Sequence, residues 1–345
     1  MSVRIGVDLG GTKIEAIILD EEGVERGRLR VPTPRDDYDA TLAAIAGLVQ
    51  QLERQVGGTA TVGVGIPGTV EPSTGLVKNA NSVWLIGQPL TRDLEARLAR
   101  SVVVANDANC FALSEATDGA GAGYDAVFGV ILGTGVGGGI AMGGRVRPGA
   151  NGIAGEWGHN PLPWADGDDY PGPQCYCRKS GCIETYLSGP ALAADHARRT
   201  GEALTAEAIV QQAQAGDEAA ELTLARYEGR AARALGSIIN VLDPDVIVLG
   251  GGVSNIDRLY TNIPLLWGEV VFNCDRTGDG LSPDLTSLRQ GYGGPPELQR
   301  RRTVRPAYDQ GGPAHGRLDV RTLLRRARHG DSSGVRGAAW LGAVQ

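Results

Sequence analysis

The 345-residue sequence has no run near the roughly 20 apolar residues that a membrane span requires. Nor does it begin with an apolar segment followed by small residues, as a secretory leader would, so a cytoplasmic protein is expected. It has no excess of positive charge. Lys and Arg number 33 against 40 Asp and Glu, for a net charge of −7. That balance argues against a nucleic-acid-binding surface or an anionic-membrane anchor. The five cysteines are an odd count for a disulfide framework. Glycine is abundant at 52 residues but clustered, not periodic, which excludes a collagen-like chain and suggests turns that approach ligands closely. Hydrophobic residues make up 42%, too many for global disorder.

A pattern of strand, glycine turn, strand and turn opens the chain. Val3 to Val7 is apolar and β-branched, Asp8-Leu-Gly-Gly-Thr-Lys13 is a glycine turn, and Ile14 to Leu19 is apolar again. Helical spacing follows in Asp39 to Arg54. Val62 to Ile66 predicts a strand, Leu90 to Leu98 a helix and Val102 to Ala105 a strand. The opening pattern recurs about 125 residues later, as Ala126 to Leu132, the glycine turn Gly133 to Gly139, and Ile140 to Met142. This predicts a duplicated α/β unit with two lobes around a cleft. Leu204 to Gly216 and Glu218 to Leu242 read as helices, and Val246 to Leu249 as a buried strand entering Gly250-Gly-Gly252. Residues Asp275 to about Arg317 are poor in apolar residues and aperiodic, and are expected to be a disordered insertion. The expected lobes are 1–115 and 116–330, with a metal-binding loop over 156–184 and a C-terminal helix, 331–345, packing back on the first lobe.

Several constellations carry chemistry. In Asp8 to Lys13, glycines allow backbone N–H groups to approach phosphate oxygens, and a carboxylate stands ready for hydrated Mg²⁺. The bland alternative is an ordinary hairpin turn. Gly133-Thr-Gly-Val-Gly-Gly138 matches a dinucleotide fingerprint, but that motif needs a following helix, and a strand is expected here instead. A second phosphate turn fits better, with Gly250 to Gly252 as a third close-approach site suited to an adenosine. Asp107, at a strand end, suits general-base work on a hydroxyl, or else Asp107 or Asn109 merely caps the next helix. His159, Cys175, Cys177 and Cys182 offer four N/S ligands for a closed structural zinc site, favoured over unrelated buried thiols by three cysteines in eight residues. Glu156 and Glu184 flank that loop, either as partners for sugar hydroxyls or as surface charges. Cys110, Cys274, His196, His315 and His329 read as bland.

These pieces together resemble the ROK family of sugar kinases, of the actin/hexokinase-like (ribonuclease H-like) ATPase superfamily. The matching segments are Asp8-Leu-Gly-Gly-Thr-Lys, Gly65-Ile-Pro-Gly, Asn106-Asp-Ala-Asn, Leu132-Gly-Thr-Gly-Val-Gly-Gly, Gly155-Glu-Trp-Gly-His and Cys175-Tyr-Cys…Gly-Cys-Ile-Glu184. The resemblance implies a two-lobed α/β kinase fold with a zinc loop, using ATP, Mg²⁺ and structural Zn²⁺, and a homodimer. It implies that Asp107 takes the proton of a sugar 6-hydroxyl, and that Asn106, Glu156, His159 and Glu184 bind the sugar. His159 also ligates zinc with Cys175, Cys177 and Cys182. Asp8 positions Mg²⁺ through water, and Gly10, Gly11, Thr12, Lys13, Gly133, Thr134 and Gly135 grip ATP phosphates. Gly251 and Gly252 lie near the adenosine. Thr33 to Tyr38, Val77 to Trp84, Gly155 to Trp164 and His329 to Leu341 look most like fructokinases of the mannofructokinase type, which implies D-fructose as substrate. N-acetylglucosamine, glucose and mannose are the alternatives. ROK regulators carry a helix-turn-helix segment that is not found ahead of the first strand here, so a DNA-binding sensor is the weaker expectation.

Overall fold

The computed structural model describes residues 3–165, 167–272 and 286–291. Cys274, His315, His329, the helix expected over 331–345 and most of 275–317 lie outside them. The described residues fall into two compact units, one of 3–118 and 139–155, the other of 119–138, 156–272 and 286–291.

The first unit begins with β1 (Val3–Leu9) and β2 (Lys13–Leu19), an antiparallel pair across the glycine turn. Then comes β3 (Glu25–Pro32), which the sequence reading missed. Its arginines alternate with Gly27, Leu29 and Val31, the pattern of a half-exposed edge strand. Arg28 and Arg30 reach back to Glu15, a buried carboxylate on β2. Helix α1 (Tyr38–Val56) is capped by the Asp37 side chain and ends at Gly57, whose φ of 70° suits a residue without Cβ. It buries Leu42, Ile45, Leu48, Val49 and Leu52 against the sheet. Next are β4 (Ala60–Ile66), the short pair β5 (Thr69–Val70) and β6 (Val77–Lys78), helix α2 (Leu90–Leu98), β7 (Val102–Asn106) and α3 (Asp107–Thr117). The sheet order is β3-β2-β1-β4-β7, with β1, β4 and β7 parallel.

The second sheet repeats this order. It contains β8 (Ala126–Leu132), β9 (Val136–Met142) and β10 (Arg145–Val146). After the loop come α4 (Glu184–Leu187), α5 (Gly189–Thr200), α6 (Ala206–Gln214), α7 (Glu218–Leu242), β11 (Val246–Gly250), α8 (Leu259–Leu266) and β12 (Ser287–Gln290). The strand order is β10-β9-β8-β11-β12. The boundary between the units falls inside β9, after Gly138. One strand expectation needs correction. The glycine turn ends sooner than Gly139, because Gly137 to Gly139 belong to β9. A Cβ on Gly139 would stand 2.4 Å from the Ala108 carbonyl oxygen, so this stretch is glycine-rich for close packing and not for turning.

The expected insertion also contains structure. Ser287–Gln290 pairs in parallel with β11, and Leu288 is fully buried. All five residues of β11 are buried, as in a central strand, here with β8 on one side and β12 on the other. The β12 strand is thus the counterpart of β7 and completes the repeated sheet. Among the described residues no helix is long and apolar enough to cross a membrane.

Leu288→Ala is expected to destabilise the protein by ~2–5 kcal/mol in chemical denaturation, the usual range for truncating a buried leucine. A change within experimental error would contradict the placement of β12.

Candidate functional site

In the first unit, register brings the acidic residues to one edge. Asp8 pairs with Gly65, and Gly65 with Ala105, so Asp8 and the Asn106–Asp107 dipeptide leave the carboxyl ends of parallel strands together. Ligands bind at such edges in open α/β sheets. Asn106 takes the capping role: its side-chain oxygen accepts from the Asn109 N–H at 3.1 Å, and its Nδ2 donates to the Gly68 carbonyl at 3.1 Å. Asp107 therefore does not cap α3. It opens the helix, with Oδ1 accepting from the Ala108 N–H at 2.7 Å and from Asn106 Nδ2 at 3.1 Å. The positive end of the helix dipole favours its charge.

Asp8 is held near neutrality. Burial, then the charges of Asp107 and Glu15, raise its pKa from the ordinary 3.8 to about 7, and Lys13 and Arg30 offset only part of this. A carboxylate whose charge is disfavoured in this way suits a divalent cation, so the residues fit the implied Mg²⁺. The adjoining turn is tightly built. The Gly10 N–H donates to the Lys13 carbonyl at 3.0 Å, and Thr33 Oγ1 donates to the Gly10 carbonyl at 2.7 Å. Arg35 Nε donates to the Gly11 carbonyl at 3.1 Å, and Thr33 N–H donates to the Thr12 carbonyl at 3.0 Å. Ser82, which the sequence reading passed over, is buried, and its Oγ, without a hydrogen-bond partner among the described residues, would lie 3.8 Å from a Cβ on Gly11.

In the second unit, the tertiary structure gathers three distant segments. The Gly133 N–H donates to the Gly135 carbonyl at 3.0 Å, and the Gly189 N–H donates to the Gly133 carbonyl at 2.8 Å. Gly251, at φ 84°, packs so closely that a Cβ would meet the Leu132 carbonyl oxygen at 2.4 Å. Gly252 follows it at the start of a short helical turn, and Thr134 is exposed at the tip of the β8–β9 turn. Glu184 Oε2 accepts from the Val136 N–H at 2.9 Å, and a Cβ on Gly135 would stand 2.7 Å from that oxygen. Glu184 thus ties the cysteine loop to the glycine turn, a role no spacing rule reveals. The chain continues as a strand after Gly138, so the dinucleotide fingerprint lacks its helix.

Glu156 feels both His159 and Glu184 electrostatically. Burial raises the Glu156 pKa, His159 opposes that rise and Glu184 adds to it. Trp157, between the first two, is buried: its indole Nε1 donates to the Gly137 carbonyl at 3.0 Å and its ring meets Phe128 edge-on at 5.8 Å. The loop is further held by Arg230 of α7, a buried cation that pairs with Asp169 at 2.8 Å and with Asp195 of α5 at 3.2 Å.

His159, Cys175, Cys177 and Cys182 place one ligand atom each within 4.8 Å of one another. Cys175 Sγ lies 3.5 Å from His159 Nδ1, and Cys177 Sγ 3.5 Å from Cys182 Sγ. A tetrahedral zinc site with bonds of ~2.0–2.3 Å has edges of about 3.5–3.8 Å, so this donor set fits Zn²⁺. The sulfur separation is far beyond the ~2.05 Å of a disulfide. Cys110 is buried, and His196 is a buried core residue bonded to Thr223 Oγ1 at 3.0 Å.

The model of the ROK family matches residues 4–279. The chain belongs to the ROK family. Its fold is the two-lobed α/β, actin/hexokinase-like fold of that family. It is 38% identical over 344 residues to an N-acetyl-D-glucosamine kinase of Pasteurella multocida, covering 98% of this chain and 99% of that one. Among solved structures it resembles a ROK family glucokinase from Streptomyces griseus in complex with glucose and AMPPNP. There the TM-score is 0.68 at 30% identity, over 84% of this chain and 94% of that one. It also resembles a ROK hexokinase from Thermus thermophilus, with a TM-score of 0.69 at 29% identity, over 85% and 93%. These relatives carry the family expectation. They do not carry the narrower resemblance to fructokinases, since the curated relatives reported are N-acetyl-D-glucosamine kinases.

The raised Asp8 pKa has a definite consequence for stability. The folded state keeps the proton up to about pH 7, whereas the unfolded chain loses it near 3.8. This contribution is therefore whole at acid pH and is lost as pH rises towards 7. Asp8→Asn, in protein free of nucleotide and metal, is expected to gain stability relative to wild type as pH is raised from about 4 to about 7, and to level off above. A pH-independent difference in thermal melts would contradict this. Cys177→Ser is expected to abolish stoichiometric zinc retention, read by a chromogenic chelator after thiol modification, while Cys110→Ser leaves it intact.

Proposed function

We propose that the protein is an ATP-dependent hexose kinase acting on the sugar 6-hydroxyl. The observation that carries this reading is the placement of Asp107 beside Asp8 at the carboxyl edge of a parallel sheet, next to a glycine turn. In the proposed reaction, the Asp107 carboxylate accepts the proton of the hydroxyl. That oxygen bonds to the γ-phosphorus of ATP, the bond from this phosphorus to the β–γ bridging oxygen breaks, and ADP leaves. Such transfers need positioning and charge neutralisation more than covalent help. Gly10, Gly11, Thr12, Lys13, Gly133, Thr134 and Gly135 would hold the phosphates, and Gly251 and Gly252 the adenosine. Asn106, Glu156, His159 and Glu184 would hold the sugar. Mg²⁺, oriented by Asp8 through water, would neutralise phosphate charge. Zinc on His159, Cys175, Cys177 and Cys182 would be structural, because four protein ligands leave no open position.

For the hexose itself, the near full-length relatives support N-acetyl-D-glucosamine. D-Fructose is the second reading, favoured by the segment Gly155 to Trp164, where Trp157 is buried and bonded to Gly137 of β9.

A coupled ADP-release assay across N-acetylglucosamine, fructose, glucose and mannose tests the proposal, and zinc-loaded protein without sugar-dependent turnover would reject it. Asp107→Asn is expected to lower kcat by about 10²–10⁴-fold, the usual worth of a general base, with the sugar KM changed little.

A further inference from the structure

Ser82 is 1% exposed, and its hydroxyl has no hydrogen-bond partner among the described residues. A buried hydroxyl in that state costs stability and calls for an explanation. The usual service of a serine at such a position does not supply one. Ser82 precedes the short helical turn Val83–Leu85, where a serine oxygen normally accepts from a backbone N–H of the turn. Its carbonyl does accept from the Leu85 N–H at 3.0 Å, but its side chain makes no capping bond.

The hydroxyl faces Gly11 instead. Outside the neighbouring residues of the turn, Ser82 Oγ is the one atom among the described residues within 4 Å of where a Cβ on Gly11 would stand, at 3.8 Å. Gly11 is itself exposed, so the space over its Cα is open on one side and bounded by this hydroxyl on the other. The backbone around Ser82 is held firmly. The Asn81 N–H donates to the Pro67 carbonyl at 3.2 Å, Trp84 Nε1 donates to Thr41 Oγ1 at 3.2 Å, and Leu85 is fully buried. The carbonyl of Gly68, next to Pro67, accepts from Asn106 Nδ2 at 3.1 Å. One short segment therefore ties the Ser82 loop, which flanks the glycine turn, to the residue that precedes Asp107. In the proposed reaction, the group lying between that turn and Asp107 is the phosphoryl group being transferred. Its oxygens are anionic acceptors, and a serine hydroxyl is a donor that can rotate to meet one.

We infer that Ser82 is a phosphate-binding residue, whose hydroxyl donates to an oxygen of the terminal phosphoryl group of the nucleotide. The bond absent from the empty protein forms when the nucleotide arrives. This rests on the hexose-kinase reading and adds a residue that the resemblance does not imply.

The test is Ser82→Ala, which removes the oxygen and little else. Thermal melts without ligand, calorimetric binding of ADP and of a non-hydrolysable ATP analogue with Mg²⁺, hexose binding and steady-state kinetics are compared with wild type. The unliganded variant is expected to melt at or above the wild-type temperature, since no bond is lost in the empty state. Its Kd for the ATP analogue is expected to rise about ten- to hundredfold, the worth of one hydrogen bond to a charged group, and kcat/KM for ATP to fall by at least as much. Its affinities for ADP and for hexose are expected to stay within about twofold of wild type. A lower melting temperature without ligand, unchanged affinity for the ATP analogue, or an equal loss for ADP would each overturn the inference. Wild-type protein that binds nucleotide but phosphorylates no hexose would instead reject the kinase reading, and the nucleotide comparison would still decide the role of Ser82.

Discussion

Two carboxylates share one edge of a buried parallel sheet, and much of the proposed chemistry depends on that crowding. The register of β1, β4 and β7 leaves Asp8 and Asp107 no way to separate. Their mutual repulsion adds to the burial that already disfavours charge on Asp8. A fold seeking stability alone would place an apolar residue there. Strain of this kind is relieved by bringing positive charge to the edge, as a divalent cation would. Asn106 completes the arrangement by taking over the helix cap, which leaves the Asp107 carboxylate at the mouth of the sheet.

The second unit solves a different problem, the rigid presentation of side chains from a long loop with little regular structure. The cluster of His159 and three cysteines, whose donor atoms fit a zinc ion, is one brace. The Arg230 pairs with Asp169 and Asp195 are another, anchoring the loop to α7 and α5. Glu184 is the third. By accepting from the Val136 N–H it joins the loop to the turn proposed to hold phosphate. A shift in one would be felt in the other, which suits a reaction in which a hydroxyl and a phosphorus must align within a fraction of an ångström.

The repeated strand order shows how strongly the architecture constrains composition. Residues 286–291 sit in a stretch whose composition reads as unstructured, yet Ser287–Gln290 is paired and Leu288 fully buried. A four-residue strand is too short for periodicity to reveal. Its order comes from β11, whose exposed edge would otherwise leave backbone donors and acceptors unsatisfied.

What local chemistry controls was legible in the chain itself. Glycine turns between β-branched runs marked both hairpins, helical spacing marked α1, Ala/Leu-rich composition marked α7, and three cysteines within eight residues marked the candidate metal loop. These signals are local because turn conformation, periodicity and chelation each depend on neighbours in sequence. Only the tertiary structure decided the rest. It set Glu184 on Val136, Gly251 against Leu132 and Ser82 towards Gly11, and it gave the helix cap to Asn106 and not to Asp107. Each of these depends on where a side chain's hydrogen-bonding capacity or missing Cβ meets another segment, and that meeting is fixed by packing, which no spacing along the chain encodes.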